Sequence, residues 1–242
     1  MKTNVRQLVD AIPGWLSAHE GQFLAKAAHR VAPLPGVMVE IGSYCGKSTI
    51  WLAQTGEMLY AVDPHIGDLG VGQVAPTLSA FLTNLKKAQV DNKTVVPIVK
   101  TSAQAKTGWD KPIKLLFIDG LHDEQHARED YLWWSPFLVD GGVIAMHDAF
   151  ASGFGVQKVA LKYLVGSENY YEIGVVGSIV YGIKGKGSLL TKVNRWRCRQ
   201  LITLAESVYE ERGWPKWAVF VIIHFIVRLG LINRFHLSRN KL

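Results

Sequence analysis

The chain has only two cysteines in 242 residues, Cys45 and Cys198, too few for a disulfide framework and in keeping with a reducing cytoplasm. Met1 to Trp15 has no continuous apolar region, so no secretory signal is read there. Internal repeats and low-complexity tracts are absent, and a hydrophobic fraction of 48% is enough to bury one complete domain. A dinucleotide fingerprint, G-x-G-x-x-G, is missing as well. A Walker A loop fails by one residue: Ser43, Tyr44 and Cys45 alone separate Gly42 from Gly46-Lys47-Ser48, where four residues are required. That shortfall argues against a nucleoside triphosphatase.

The net charge of +7 is concentrated in one region. Residues 1–185 carry 16 Lys and Arg against 17 Asp and Glu, whereas residues 186–242 carry 11 against 3. A nucleic-acid binder places its basic residues around the active face, so the neutral body argues against such a partner. The pattern divides the chain into a domain over 1–185, with an N-terminal helical cap, and a basic, hydrophobic helical extension over 186–242.

Strand and helix signals alternate along the domain. Ser17-Ala18-His19-Glu20 reads as a capping box opening a helix to about Arg30. Strands are expected at 37–42, 58–63, 94–100, 114–119 and 142–147, with helices at 46–55, 77–90, 123–138 and 154–165 between and after them. Leu115-Leu116-Phe117-Ile118 and Val143-Ile144-Ala145-Met146 are continuous apolar runs, as buried parallel strands require. Residues 171–183, with Gly177-Ser178 at the turn, read as a hairpin. The expected fold class is α/β: a seven-stranded, mostly parallel, doubly wound sheet ending in an antiparallel hairpin.

Val37 to Thr49 runs from an apolar strand through a glycine turn into a helix, whose first N–H groups face polar ligand atoms. The second strand ends in Asp63, 21 positions after Gly42, the usual spacing of an acid that takes ribose hydroxyls. A ribose acid without a pyrophosphate cradle suggests a nucleoside lacking phosphates, with S-adenosylmethionine the common one. A ligand-free strand–helix turn is the competing reading. Residues 66–76, rich in glycine, read as either a lid over this ligand or an ordinary loop.

The fourth and fifth strands end in Asp119-Gly120-Leu121-His122-Asp123 and His147-Asp148. Ligands of open α/β sheets bind at such carboxyl ends, and neighbouring strands lie about 5 Å apart. Asp119, His147 and Asp148 are therefore expected to converge as a divalent-metal site, with His122 placed to take a proton. The plainer reading makes the acids caps, with Asp123 the N-cap of the following helix and His126 on its surface. Adjacent strand residues face opposite ways, so His147 and Asp148 can share an ion only where the strand has ended.

Residues 39–44, 117–122 and 141–148 together resemble class I S-adenosylmethionine-dependent methyltransferases. The nearest branch holds cephalosporin-hydroxylase-like proteins and the metal-dependent O-methyltransferases of macrolide sugars, and the resemblance spans about 15–185. It implies that Glu40, Gly42, Ser43 and Tyr44, with Ser48 nearby, surround the methionine and ribose. Asp63 then takes the ribose hydroxyls and Ser102 faces the adenine. It also implies Asp119 and Asp148 as metal ligands, His122 as base, and His147 in the place of a ligand Glu. That last departure shifts the expectation from Mg²⁺ toward Mn²⁺. The implied reaction is methyl transfer to a hydroxyl of a saccharide or glycoconjugate. A catechol or phenol acceptor and a non-catalytic membrane-tethered binding protein are the alternatives.

Residues 188–212 read as a basic helix. The apolar stretch from Trp217 to Val227 is 11 residues long, short of the roughly 20 that span a bilayer. With its Trp and Arg neighbours it suits an anionic membrane surface, which would place the protein at the inner face of the membrane. The competing reading is a helix packed on its own domain or on a second subunit of a homo-oligomer.

Overall fold

The computed structural model describes residues 3–67, 75–91, 93–149, 155–187 and 189–212. Most of the proposed lid, at 68–74, and the apolar stretch from Trp217 lie outside these residues.

Seven strands form one sheet in the order β3-β2-β1-β4-β5-β7-β6. The strands are β1 (Val37–Ile41), β2 (Leu59–Val62), β3 (Val95–Ile98), β4 (Ile113–Ile118), β5 (Leu138–Met146), β6 (Tyr170–Val176) and β7 (Ile179–Lys184). The first five are mutually parallel. β7 runs antiparallel to both β5 and β6, so the expected hairpin closes one edge.

The pleat divides each apolar strand between two cores. Val39, Ile41, Leu116, Ile118, Ile144 and Met146 face one core. It is completed by α5 (Ser102–Lys106), α6 (Glu124–Trp134), α7 (Val156–Val159) and α8 (Leu189–Arg212). Met38, Leu115, Phe117, Val143 and Ala145 face the other core. Over it lie α1 (Thr3–Asp10), α2 (Ala18–Val31), α3 (Lys47–Leu52) and α4 (Leu78–Lys87). This period-two division explains why β4 and β5 read as unbroken apolar runs.

Ser17 caps α2 with the expected reciprocal box. α6 stops at Trp134 because Ser135-Pro136-Phe137 tightens into a 3-10 turn, and β5 starts at Leu138, four residues before its expected position. α7 continues as a π-helical turn over Ala160–Val165. α8 docks on the β6 edge through buried Cys198 and Ile202 and by hydrogen bonds from Thr191 Oγ1 to the Tyr171 carbonyl and from Arg195 to that of Tyr170. No helix among the described residues is long and apolar enough to cross a membrane.

Candidate active site

A cavity of about 440 Å³ opens at the carboxyl ends of β1, β2, β4 and β5. Its volume suits a small-molecule ligand.

One wall is the turn between β1 and α3. Gly42 at φ +88° and Gly46 at φ +87° bend it tightly, and a Cβ on Gly42 would lie 2.0 Å from the Asp119 carbonyl. Tyr44 has φ +43°, and its backbone N–H donates to Asp63 Oδ2 at 2.8 Å. The His65 N–H donates to Asp63 Oδ1 at 2.6 Å, so the carboxylate is aimed by two backbone groups. Ser43 lines the cavity with a buried Oγ that has no protein partner. Gly42, Ser43, Tyr44, Ser48, Asp63 and Ser102 all line the space. Ser102 Oγ accepts the Trp134 indole N–H at 2.8 Å.

Glu40 does not line it. The pleat sends Glu40, like Met38, toward α3, where its Oε2 accepts from Thr49 Oγ1 at 2.6 Å. Burial pushes its carboxyl up to about 8, with the Ser48 and Thr49 hydroxyls offsetting part of that rise. Glu40 thus supports the turn from beneath. Asp130 of α6 lines the cavity although nothing local in the sequence marks it. Burial raises its carboxyl to about 6 despite a hydrogen bond from Ser102.

The opposite wall carries the acid–imidazole group. β5 ends at Met146, and Asp148 takes φ +55°, which swings its side chain off the strand direction. His122 Nε2 lies 3.0 Å from Asp148 Oδ2 and 3.9 Å from Asp119 Oδ1. Asp119, His122 and Asp148 each offer one ligand atom, all within 4.8 Å of one another, and each stays partly open to the cavity.

His147 is set differently from the expected ligand. It continues the Val143 and Ala145 face, toward α2, and only 3% of its side chain is exposed. Its Nδ1 stands 3.1 Å from Asp119 Oδ1 and 3.2 Å from Asp148 Oδ2, and its Nε2 3.6 Å from Glu20 Oε2. These are ionic contacts and not directed hydrogen bonds, the one to Glu20 being too long, and both ring nitrogens are left without a hydrogen-bond partner. The structure therefore groups Asp119 and Asp148 with His122, all partly open to the cavity, while His147 borders the same cavity as a nearly buried side chain behind the two aspartates.

Charges of opposite sign govern the whole group. Burial alone would strip the proton from His147, but Asp119, Asp148 and Glu20 outweigh it and hold the imidazole well above its ordinary range. Burial works the same way on His122, and the two aspartates overcome it to bring that ring to about 9. Asp119 and Asp148 are in turn held below the usual carboxylate range against their own burial, chiefly by the two histidines. Asp123 N-caps α6 and accepts from His126 at the surface.

Glu20 is the member whose role the sequence did not disclose beyond helix capping. Its Oε2 accepts from Ser17 N–H and Oγ, while its Oε1 accepts from Ser178 N–H at 2.6 Å and Ser178 Oγ at 2.8 Å in the β6–β7 turn.

Residues 39–149, which contain both walls, match a family model described as a methyltransferase domain. Solved structures agree with the fold that encloses it. The O-methyltransferase NovP superposes with a TM-score of 0.60 at 13% identity, over 69% of this chain and 80% of its own. An O-methyltransferase from Bacillus cereus, solved with SAH, gives 0.55 at 19% identity over 75% and 89%. TomG from Streptomyces achromogenes, an O-methyltransferase of tomaymycin synthesis solved with SAM, gives 0.55 at 18% over 76% and 91%. The sheet and its helices thus carry the fold of the class I methyltransferases that the motifs resemble.

Proposed function

We propose that the protein is an S-adenosylmethionine-dependent O-methyltransferase assisted by a divalent metal, acting on a hydroxyl of a saccharide or glycoconjugate. The observation that carries this reading is the Asp119–His122–Asp148 group facing, across one cavity, the Asp63 carboxylate that two backbone N–H groups aim. The residues suit both ligands. Ser43 Oγ is a buried polar atom awaiting a partner beside Gly42, and Asp63 keeps lone pairs for ribose hydroxyls. Tyr44 and Ser48 complete the methionine and ribose side, Ser102 the adenine side, and Glu40 holds the turn that presents them. Cofactor-bound neighbours of the same fold support the assignment.

Two carboxylates beside an imidazole form a donor set suited to Mg²⁺ or Mn²⁺. Asp119 and Asp148 would hold the ion, which when bound lowers the pKa of an alcohol and fixes its oxygen. His122 is the base. While both aspartates are uncompensated they keep its proton in place. With their charge taken up by a cation, the imidazole is free to accept the proton of the acceptor hydroxyl. The methyltransferase cavity also orients the acceptor. Trp15, 62% exposed at the rim with its ring 6.0 Å from that of Tyr44, offers the flat apolar face on which a pyranose stacks. Labelled methyl transfer across a panel of saccharide and catechol acceptors, with and without chelator, tests the reading. Transfer to saccharides that stops on chelation and returns with Mn²⁺ supports it, while chelator-insensitive transfer to catechols alone overturns it.

We propose in addition that residues 188–242 hold the protein peripherally on an anionic, cytoplasmic membrane face. α8 buries Thr191, Asn194, Cys198 and Ile202 and turns outward Lys192, Val193, Trp196 and Arg199, an aromatic residue flanked by cations. Co-sedimentation with phosphatidylglycerol vesicles checks this. A version ending at residue 185 that binds as well as the full chain removes the basis for it.

A further inference from the structure

The cluster at the ends of β4 and β5 has an inner half that proton transfer and metal binding leave unexplained. Glu20 lies on α2, far in sequence from the strand ends, and is 2% exposed. Its Oε1 is satisfied by Ser178 and its Oε2 by Ser17, so the cap and the hairpin turn fix the carboxylate in place. His147 is pressed between that carboxylate and the Asp119–Asp148 pair, and its ring nitrogens meet a carboxylate oxygen on each side. Its Nδ1 lies between the two cavity-facing aspartates on their inner side, 3.1 Å from Asp119 Oδ1 and 3.2 Å from Asp148 Oδ2.

We propose that Glu20 and His147 form a positioning pair, in which Glu20 orients the His147 ring and Nδ1 of that ring sets the spacing of Asp119 and Asp148. The inference rests on the reading of those aspartates as metal-holding groups. Two adjacent carboxylates repel each other, and a ring nitrogen lying 3.1 and 3.2 Å from them on the protein side fixes how far apart their oxygens sit. Groups that orient ligating carboxylates in this way typically change metal affinity by about 10–100-fold when removed. His147 is then a residue behind the ligands, and Glu20 acts through it at second remove. The arrangement also accounts for α2 being tied to the hairpin turn: if the Ser178 contact loosened, the orienting carboxylate would move.

The test compares the full chain with Glu20→Gln, His147→Gln and the double variant. Mn²⁺ affinity is read by electron paramagnetic resonance and S-adenosylmethionine affinity by calorimetry. The expected result is a 10–100-fold loss of Mn²⁺ affinity in each single variant, no further loss in the double, and cofactor affinity within about twofold of wild type. Unchanged Mn²⁺ affinity in the single variants overturns the proposal, as do losses that multiply in the double variant. A parallel fall in cofactor affinity also overturns it, since that is the signature of general damage. His147→Gln leaves the bonds of Glu20 to Ser17 and Ser178 in place, so it decides the matter if Glu20→Gln does not fold. A wild-type chain that binds the cofactor but no Mn²⁺ sinks the metal-assisted reading first, and this inference with it.

Discussion

The two ends of β4 each hold a buried charge, and they are built to opposite ends. At the N-terminal end, Lys114 is nearly inaccessible and donates to Glu57 Oε2 at 2.5 Å and to the Ala32 and Leu34 carbonyls at 3.3 and 3.5 Å. One cation meets three acceptors, and every donor has somewhere to go. At the C-terminal end, Asp119 belongs to a group of three carboxylates and two imidazoles in which both His147 ring nitrogens lack a hydrogen-bond partner and whose outer face opens on a cavity. A fully matched cation closes one end of the strand, and a group with an unmatched imidazole lines the cavity at the other. Burial and charge are common to both ends. They are told apart by whether the polar groups are already matched.

The largest expected effect lies at the open end. His122→Ala lowers kcat for methyl transfer by about 10²–10⁴-fold while leaving cofactor affinity unchanged. A loss under tenfold in single-turnover kinetics would move the base elsewhere. Next comes the acid limb of stability. The Glu20 carboxyl is raised by burial but brought down to about 2 by His147, Ser17 and Ser178 together. Its folded-state value is below the unfolded one, so its contribution is full above pH 4.5 and is lost as pH falls toward 2. Urea titrations across that window should show a decline on the order of 2–3 kcal/mol in wild type that Glu20→Gln lacks.

At the closed end, Lys114→Met leaves two carbonyls and Glu57 without their donor. It should lower stability by about 1–3 kcal/mol, the figure reduced because Glu57 is partly exposed. Catalysis per folded molecule should not change, and a kcat effect there would dissolve the contrast between the two ends. The smallest effect belongs to the rim. Trp15→Ala should raise KM for a saccharide by roughly five- to tenfold, about 1 kcal/mol, with kcat preserved.

The legibility of the molecule follows the same contrast. Elements with a long period, such as β1, β4, α2 and the terminal hairpin, were readable because their apolar spacing is local. α5 was not, since five residues hold barely one turn and their pattern is indistinct. The long start of β5 was hidden by Ser135-Pro136-Phe137, which breaks the helix earlier than its apolar residues suggest. In the site, Gly42, Asp63, Asp119 and Asp148 announce themselves by position at strand ends. Glu40 is displaced from the cavity by the pleat, and that parity could have been counted from Met38. His147 follows the Val143 and Ala145 face by the same parity, whereas Asp148 turns to the cavity through a left-handed backbone angle that no spacing rule encodes. Glu20 and Asp130 enter from helices on opposite faces of the sheet, and only tertiary packing brings them in.

The capping box of α2 has a practical corollary for anyone shortening this protein. The acid that closes the first turn of that helix is the same one that faces His147 and grips the hairpin. Trimming the leading segment back to about residue 16 would cost Trp15 and its neighbours at the cavity rim but leave the helix start whole. Cutting four residues further would delete Glu20 outright. A clone begun at residue 21 should therefore yield a sheet that still assembles around a site whose two aspartates have lost their backstop.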